Sequence, residues 1–453
     1  MLSVQLIAKS DVSPLRLSSD GARSCYEPTQ PTDDKVIDVE NKNFNVGHHT
    51  VVQHSAFTFF IEGIAIGDIT MGLHLYHPFY VSGQRSGRFC FGMFSDPDIP
   101  SQIADYISSI YEIEKDLLER IGDYIQNSTY FFTHYLDQAT QTAADFLRAE
   151  RPHVSEKYIT QNAKKIAQEQ LRMFIPVIFP TGVQFSANLY TVAAMYRTAW
   201  SPVMKKVTEM MVEEIIKLYP ELQFMFQRRQ SCFEPIIPEF IGARQSPDCS
   251  LIAIDDSDTS IMGTPEEMFP FDTLQFDPCF MVNNTLDITS EVEISLATMG
   301  QDQRHRMVRR SLFHFTGNVY CPPILYQLGL EDHLSQTMRN WLNLVDYVSD
   351  VFLSASLAPY GAMVRYKKKA NLNAFMHEQG KRTCWCAQEE IYNLARKLRQ
   401  SISSEVVDST RKDELLTVLS PPCFQTGICG EGGRYCGRDL AAPHSDYFPA
   451  RKV

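Results

Sequence analysis

A chain of 453 residues, 44% hydrophobic and 21% charged, is composed like an ordinary soluble globular protein, and at about 150 residues per domain it holds two or three cores. Its formal net charge of -12, with no long basic run against it, excludes a general binder of nucleic acid or anionic membrane. A local basic pocket for a small anion stays allowed.

The opening MLSVQLIAKS lacks the apolar core of a secretion signal, and no apolar run approaches the ~20 residues of a bilayer span. Both points suggest a cytoplasmic protein. The 11 cysteines of so large a chain read as buried thiols, with clusters pointing to metal; the sequons at Asn127 and Asn283 are then incidental. Val4 to Ala8 has the bias of a short strand, and GARSCY at Gly21 to Tyr26 follows a polar loop. Gly47 to Phe60, GHHTVVQHSAFTFF, crowds His48, His49 and His54 together. No carboxylate completes a HExxH pattern there, so His49 and His54 are read as structural. The alternating AFTFFIEGIAIGDITM is a strand with a less regular continuation, and SGQRSGRF at Ser82 to Phe89 comes next.

From Pro100 to Glu150 the pattern turns helical, with Ile103, Tyr106, Ile107, Ile110, Ile113, Leu117 and Leu118 at spacings of three and four. Pro152 interrupts it, and Ser155 caps a further helix reaching about Phe174. Arg172 precedes Pro176, and Asn188 lies beyond. Pro235, Pro238 and Pro247 give the stretch 227–248 the chemistry of a linker. SLIAIDD at Ser250 to Asp256 then repeats the Leu-Ile-Ala of Leu6 to Ala8, and VEISLATMG at Val292 to Gly300 leads into QDQRHR at Gln301 to Arg306. Helical periodicity resumes from about Leu330 to Phe352. Pro359 precedes Asn371 by the same separation as Pro176 precedes Asn188, which supports an internal repeat. The layout is a first copy at 1–226, a linker at 227–248, a second copy at 249–418 and a tail at 419–453. An amphipathic helix is expected from Trp385 to Ile402. The tail sets Cys423, Cys429 and Cys436 among glycines and buries too little to hold itself.

These pieces resemble the flavin-dependent thymidylate synthases, whose signature joins RHR, an Asn-Glu pair, and SGR with an aromatic residue. Arg304, His305 and Arg306 match its first part, and Ser86, Gly87, Arg88 and Phe89 its last. Gln84 stands for the signature Glu and Gly83 for the Asn. His48, Thr50, His54, Phe57, Thr58 and Phe59 match the family's Gly-His to Phe-Thr-Phe stretch, with Gln53 for its Glu. A gap-free count places Leu73, His74 and Leu75 where the first copy would carry RHR. Arg172 and Asn188 match the phosphate-region Arg and the FAD-contacting Asn, while Tyr190 replaces a basic residue. Arg382 and CAQEEI at Cys386 to Ile391 match the family's later Arg and helix. Ala199 stands at that Arg in the first copy, and Ala355 at the phosphate-region Arg in the second. Thr316, Gly317 and Asn318 sit near the place of SGR.

The losses are complementary, and the resemblance implies one composite site between two copies, with the vestigial one decayed. It implies an α/β fold of two tandem synthase copies, each a sheet with long helices, packed as a pseudo-dimer about a pseudo-two-fold axis. The implied reaction converts dUMP to dTMP with FAD, methylenetetrahydrofolate and NADPH; the alternative is a degenerate nucleotide- or flavin-binding homologue. Under the resemblance Gln84, Ser86, Gly87, Arg88, Arg172, Gln301, Arg304 and Arg382 bind dUMP. Arginine forks, a Ser hydroxyl and Gly amides suit a phosphate, and Arg382, the catalytic residue, would stabilise charge on the uracil ring. His48, Thr50, Asn188, Arg304, His305, Arg306 and His377 would hold FAD, which carries the redox chemistry. Cys384, Cys423, Cys429 and Cys436 would bind a structural zinc. The implied assembly is a homodimer of fused chains with no nucleic-acid or membrane partner.

Overall fold

The alternation in AFTFFIEGIA folds as a strand that buries Phe57, Phe59 and Ile61 on one side, the period-two pattern of a sheet with one covered face. In the computed structural model, which describes residues 2–32, 35–75, 79–87, 90–229, 233–254, 277–432, 435–439 and 448–453, this strand is central to the first of two units. That unit comprises Met1–Gly122, Val177–Glu234 and Val348–Leu357. Its strands β1 (Ser3–Lys9), β2 (Ala56–Ala65), β3 (Tyr80–Gln84) and β4 (Pro180–Asn188) form an antiparallel sheet in the order β1-β2-β4-β3. Helix Leu189–Thr198 leaves β4 through Asn188, whose side chain accepts the Thr191 N–H at 2.8 Å, an N-cap. Helix Pro202–Leu218, capped by Ser201, packs on β1.

The second unit comprises Asp123–Pro176, Pro235–Tyr347 and Ala358–Val453. Strands β5 (Gly242–Arg244), β6 (Asp248–Ile254), β7 (Asp287–Ser295), β9 (His314–Tyr320) and β10 (Ala362–Asn371) lie in the order β5-β9-β10-β7-β6, and β8 (Arg309–Arg310) also pairs with β10. Only the β5–β9 pair is parallel among these described pairings. The stretch β6-β7-β10-β9 has the strand order of β1-β2-β4-β3. The likeness reaches single residues. The β1–β2 register slips between Leu6 and Ala8, and the β6–β7 register between Leu251 and Ala253. Each bulge leaves its isoleucine outside, Ile7 46% and Ile252 49% exposed. Asn371 repeats the cap of Asn188, accepting the Ala374 N–H at 3.0 Å. Each unit is therefore α/β, and the repeated Leu-Ile-Ala is a repeated β-bulge.

One bulge is not shared. Gly63, at φ 73, shifts β2 against β4 between Glu62 and Ile64, a conformation that suits glycine, whereas β7 runs against β10 without a slip. Counted from the paired ends Ala65 and Ser295, the place of RHR in the first copy falls at 74–76, one residue later than the gap-free count. His74 and Leu75 are described; Tyr76 lies outside the described residues.

The helical reading holds over Ile99–Ile110, Lys115–His134, Leu136–Glu150 and Glu156–Leu171, with Ser155 accepting the Tyr158 N–H as cap. Two expectations change. The helix expected from Leu330 to Phe352 is two, Glu331–Val345 and Val351–Ser356, because the Asp350 carboxylate turns the chain by accepting the N–H groups of Phe352 and Leu353. The helix expected from Trp385 starts later, at Glu389–Glu405; Trp385 instead packs with Tyr392 and Cys436 ahead of it. Among the described residues no helix is long and apolar enough to cross a membrane.

Candidate active site

The RHR turn is built from a short helix outward. Helix Leu296–Asp302 begins where β7 ends, and Ser295 caps it. The Gln-Glu-Glu run of CAQEEI locks this start from outside. Glu390 accepts from the Ser295 N–H at 2.7 Å, the Ser295 hydroxyl at 2.5 Å and the Thr298 hydroxyl at 2.6 Å. Glu389 accepts from the Tyr320 hydroxyl at 2.8 Å, and the Gln388 carbonyl accepts from the Gln301 amide. Burial pushes both carboxyls up, and Glu390 raises Glu389 further. A charged cluster with no solvent favours the protonated form.

Beyond that helix the backbone turns tightly, with N–H groups of Arg304, His305 and Val308 donating to the carbonyls of Gln301, Asp302 and His305. The His305 ring is buried and stands edge-on to His377, centroids 5.3 Å apart. Burial, then the Arg382 charge, holds His305 well below its ordinary value, so the ring is neutral. Both its nitrogens lack a hydrogen-bond partner among the described residues. Arg382 donates to the Gln301 carbonyl at 2.7 Å. Arg304 is exposed, and Arg306, His377 and Arg382 are half-buried. Gln301, Arg304, His305, Arg306, His377 and Arg382 thus gather in one locality of the second unit.

Arg172 lies in that unit too, although it falls in the stretch 1–226 expected as a first copy. It closes helix Glu156–Leu171, is 5% exposed, and stands over the Tyr360 ring at 5.2 Å with Glu169 at 3.9 Å. Its Nε and one Nη lack a hydrogen-bond partner among the described residues. The segment after it is anchored by an antiparallel bridge between Pro176 and Pro359 and by the Tyr360 N–H donating to the Ile175 carbonyl at 2.8 Å.

The remaining motif residues are in the first unit. Gln84 ends β3 opposite Val183, and Ser86 and Gly87 follow; Arg88 and Phe89 lie outside the described residues. Arg85 forks onto Glu62 at 2.5 and 2.7 Å, and its N–H donates to the Gly182 carbonyl at 3.0 Å, so the strand leading into SGR is held at its end. His48 and Thr50 are exposed where the short helix His49–Gln53 begins. His49 stacks on Tyr190 at 4.8 Å, which gives that tyrosine a packing role in place of a basic side chain. His54 lies against Gly21, where a Cβ would come within 2.8 Å of its ring. Asn188 spends its carbonyl oxygen on the helix cap.

Cys384 and Cys436 both hydrogen-bond with Cys386, which pulls them down to about 7 and about 6, while burial pushes Cys423 up to about 12. Cys386 was missed from the sequence. Among the described residues no three or more His, Cys, Asp or Glu side chains are placed to hold a metal ion. What holds the tail is arginine on aromatic faces: Arg438 is 3.4 Å from the Phe424 centroid, and Arg451 4.9 Å from that of Tyr392.

Sequence reasoning also missed a buried charge cluster behind the turn. Asp302 accepts from Arg310 Nε at 2.5 Å, Lys368 Nζ at 2.6 Å and the Tyr366 hydroxyl at 2.8 Å, and Lys368 Nζ donates to Glu378 at 2.6 Å. The signal was present in RYKKKAN of β10, whose period-two burial turns Tyr366, Lys368 and Ala370 inward.

Residues 6–221 match the family model described as thymidylate synthase complementing protein. No curated protein matches. Among solved structures, thymidylate synthase X from Helicobacter pylori with FAD and dUMP is similar at 12% identity and a TM-score of 0.34, over 50% of this chain and 98% of that one. A UMP/dUMP methylase, PolB, from Streptomyces cacaoi bound with 5-Br UMP is similar at 14% identity and a TM-score of 0.31, over 40% and 97%. The match places residues 6–221, a little under half of the chain, in the thymidylate synthase complementing protein family, the flavin-dependent thymidylate synthases.

Proposed function

We propose that this protein is a flavin-dependent thymidylate synthase that methylates dUMP to dTMP, using FAD, methylenetetrahydrofolate as carbon donor and NADPH as reductant. The observation that carries the reading is the gathering of Gln301, the RHR turn, His377 and Arg382, residues far apart in sequence, with Arg382 bonded to the turn itself. The full set of family motif residues occurs once per chain, counting SGR from the first copy and RHR with Arg382 from the second, so one dUMP should bind per chain. The shared strand order, the paired bulges and the paired Asn caps support an internal duplication.

FAD, when bound, supplies the redox chemistry that side chains lack. The residues fit such a group: His305 presents buried ring nitrogens that no described residue uses, and Arg304, Arg306 and His377 flank it, with His48, Thr50 and Asn188 proposed as further contacts. For the nucleotide, Gln84, Ser86, Gly87 and Arg88 with Arg172 would cradle the phosphate region, and Arg172 has buried donors with no described acceptor. Arg382 is oriented by the Gln301 carbonyl, and its guanidinium would stabilise negative charge on the uracil ring as the ring is reduced. No protein nucleophile need attack dUMP.

A homodimer of fused chains in the cytoplasm is the proposed setting. The replacements Gly83, Gln84 and Tyr190 favour, as second reading, a homologue that binds nucleotide or flavin without turnover. Titrating purified protein with FAD and dUMP separates these cases. One site of each per chain with dTMP formed supports the first reading; binding without dTMP supports the second; two equal dUMP sites per chain would contradict both.

A further inference from the structure

Asp302, Arg310, Lys368 and Glu378 belong to no part of the synthase signature, yet three of the four are 4% exposed or less and they touch both halves of the gathered site. Arg310 is the first clamp. Besides the Asp302 carboxylate it donates to the backbone carbonyls of Asp302, His305 and Val308, and the first two of these also accept the His305 and Val308 N–H groups of the RHR turn. Only a guanidinium, with five donors in a fixed fork, can serve a carboxylate and three carbonyls together. Lys368 is the second clamp. From β10 it reaches Asp302, at the end of the helix leading into the turn, and Glu378, on helix Leu372–Arg382, each at 2.6 Å. That helix also carries His377 and Arg382.

We infer that these four side chains are positioning residues that couple the RHR turn to the Arg382 helix, so that the flavin contacts and the uracil-facing guanidinium move as one body. The inference rests on the function proposed above. The geometry explains why full charges are used where an apolar core would be more stable: buried ion pairs gain little stability over apolar packing, but losing one partner is costly and fixes the geometry sharply. Asp302, Lys368, Glu378 and Arg382 line one cavity together with Gln379.

The test uses the full chain with Arg310→Lys, Arg310→Gln and Lys368→Met, each read by thermal melting, amide hydrogen exchange and FAD titration followed by flavin absorbance. Arg310→Lys keeps the ion pair with Asp302 but not the carbonyl contacts. It should melt nearly like the parent while binding FAD about tenfold or more weakly, whereas Arg310→Gln should lose both. Lys368→Met should speed exchange in 303–308 and in 376–382 together, and leave β2 and β4 unchanged. Exchange rising in neither segment or in one alone, or Arg310→Lys restoring FAD affinity along with stability, would overturn the coupling. Failure of the parent protein to bind FAD would sink the functional reading instead; the paired exchange response would still decide the coupling.

Discussion

Arg382 donates to the carbonyl oxygen of Gln301 at 2.7 Å, across 81 residues of chain. The bond fixes one guanidinium nitrogen and leaves the group's orientation set by the turn that carries Arg304, His305 and Arg306. Replacing Arg382 by Ala should lower turnover by about 100- to 1,000-fold, the usual cost of one preorganised electrostatic donor, with FAD still bound. Arg382→Lys should not rescue it, because a lysine cannot serve the carbonyl and the ring in one fork. Steady-state rates with bound-flavin spectra check this; full activity in Arg382→Ala would remove the residue from the mechanism.

Gly317 sits at φ 76, and a Cβ there would stand 2.1 Å from the Glu239 carbonyl oxygen. The segment Thr316–Asn318 therefore packs closely against the chain leading into β5. Gly317→Ala should destabilise the protein by roughly 1–3 kcal/mol or more through overpacking and left-handed strain, seen as a lower denaturant midpoint. An unchanged midpoint would show that β5 is free to shift.

Asp68 is buried against the Tyr106 and Ser356 hydroxyls, at 2.8 and 3.3 Å, and burial lifts its carboxyl to about 7. Unfolded, it would titrate near 3.9. Folding therefore takes up a proton between those values, so its contribution is full below about pH 4 and is lost as pH rises through about 7. Asp68→Asn should flatten that part of the stability profile and raise the melting temperature at pH 8 relative to the parent. Melting curves from pH 4.5 to 8 measure it; parallel profiles would mean the carboxyl stays ionised throughout.

Much of this was legible in the residues. The Leu-Ile-Ala repeat falls on the bulges of β1 and β6, and the Pro-to-Asn spacing ends on the two Asn caps, because strand bulges and Asn caps are local devices. The nearness of Arg382 to RHR was legible only through resemblance, since nothing local joins residues so distant. The Gly63 bulge was hidden, because one extra residue in a strand does not disturb the alternation on either side. The assignment of Arg172 to the second unit was hidden as well: helix Glu156–Leu171 is amphipathic whichever sheet its apolar face covers. Lys368 carries no local mark of burial in the run of three lysines, and only the pleat of β10 places it inside. Of the four cysteines expected to bind zinc, Cys384 and Cys436 hydrogen-bond with Cys386, a residue that the spacing alone did not single out.

The most direct measurement is release of tritium from dUMP labelled at carbon 5, with FAD, NADPH and methylenetetrahydrofolate supplied to the purified protein. Methyl transfer must displace that hydrogen. The account predicts release matched by dTMP, dependent on FAD and lost in Arg382→Ala. A protein that retains no FAD and releases no tritium above the Arg382→Ala background would contradict it.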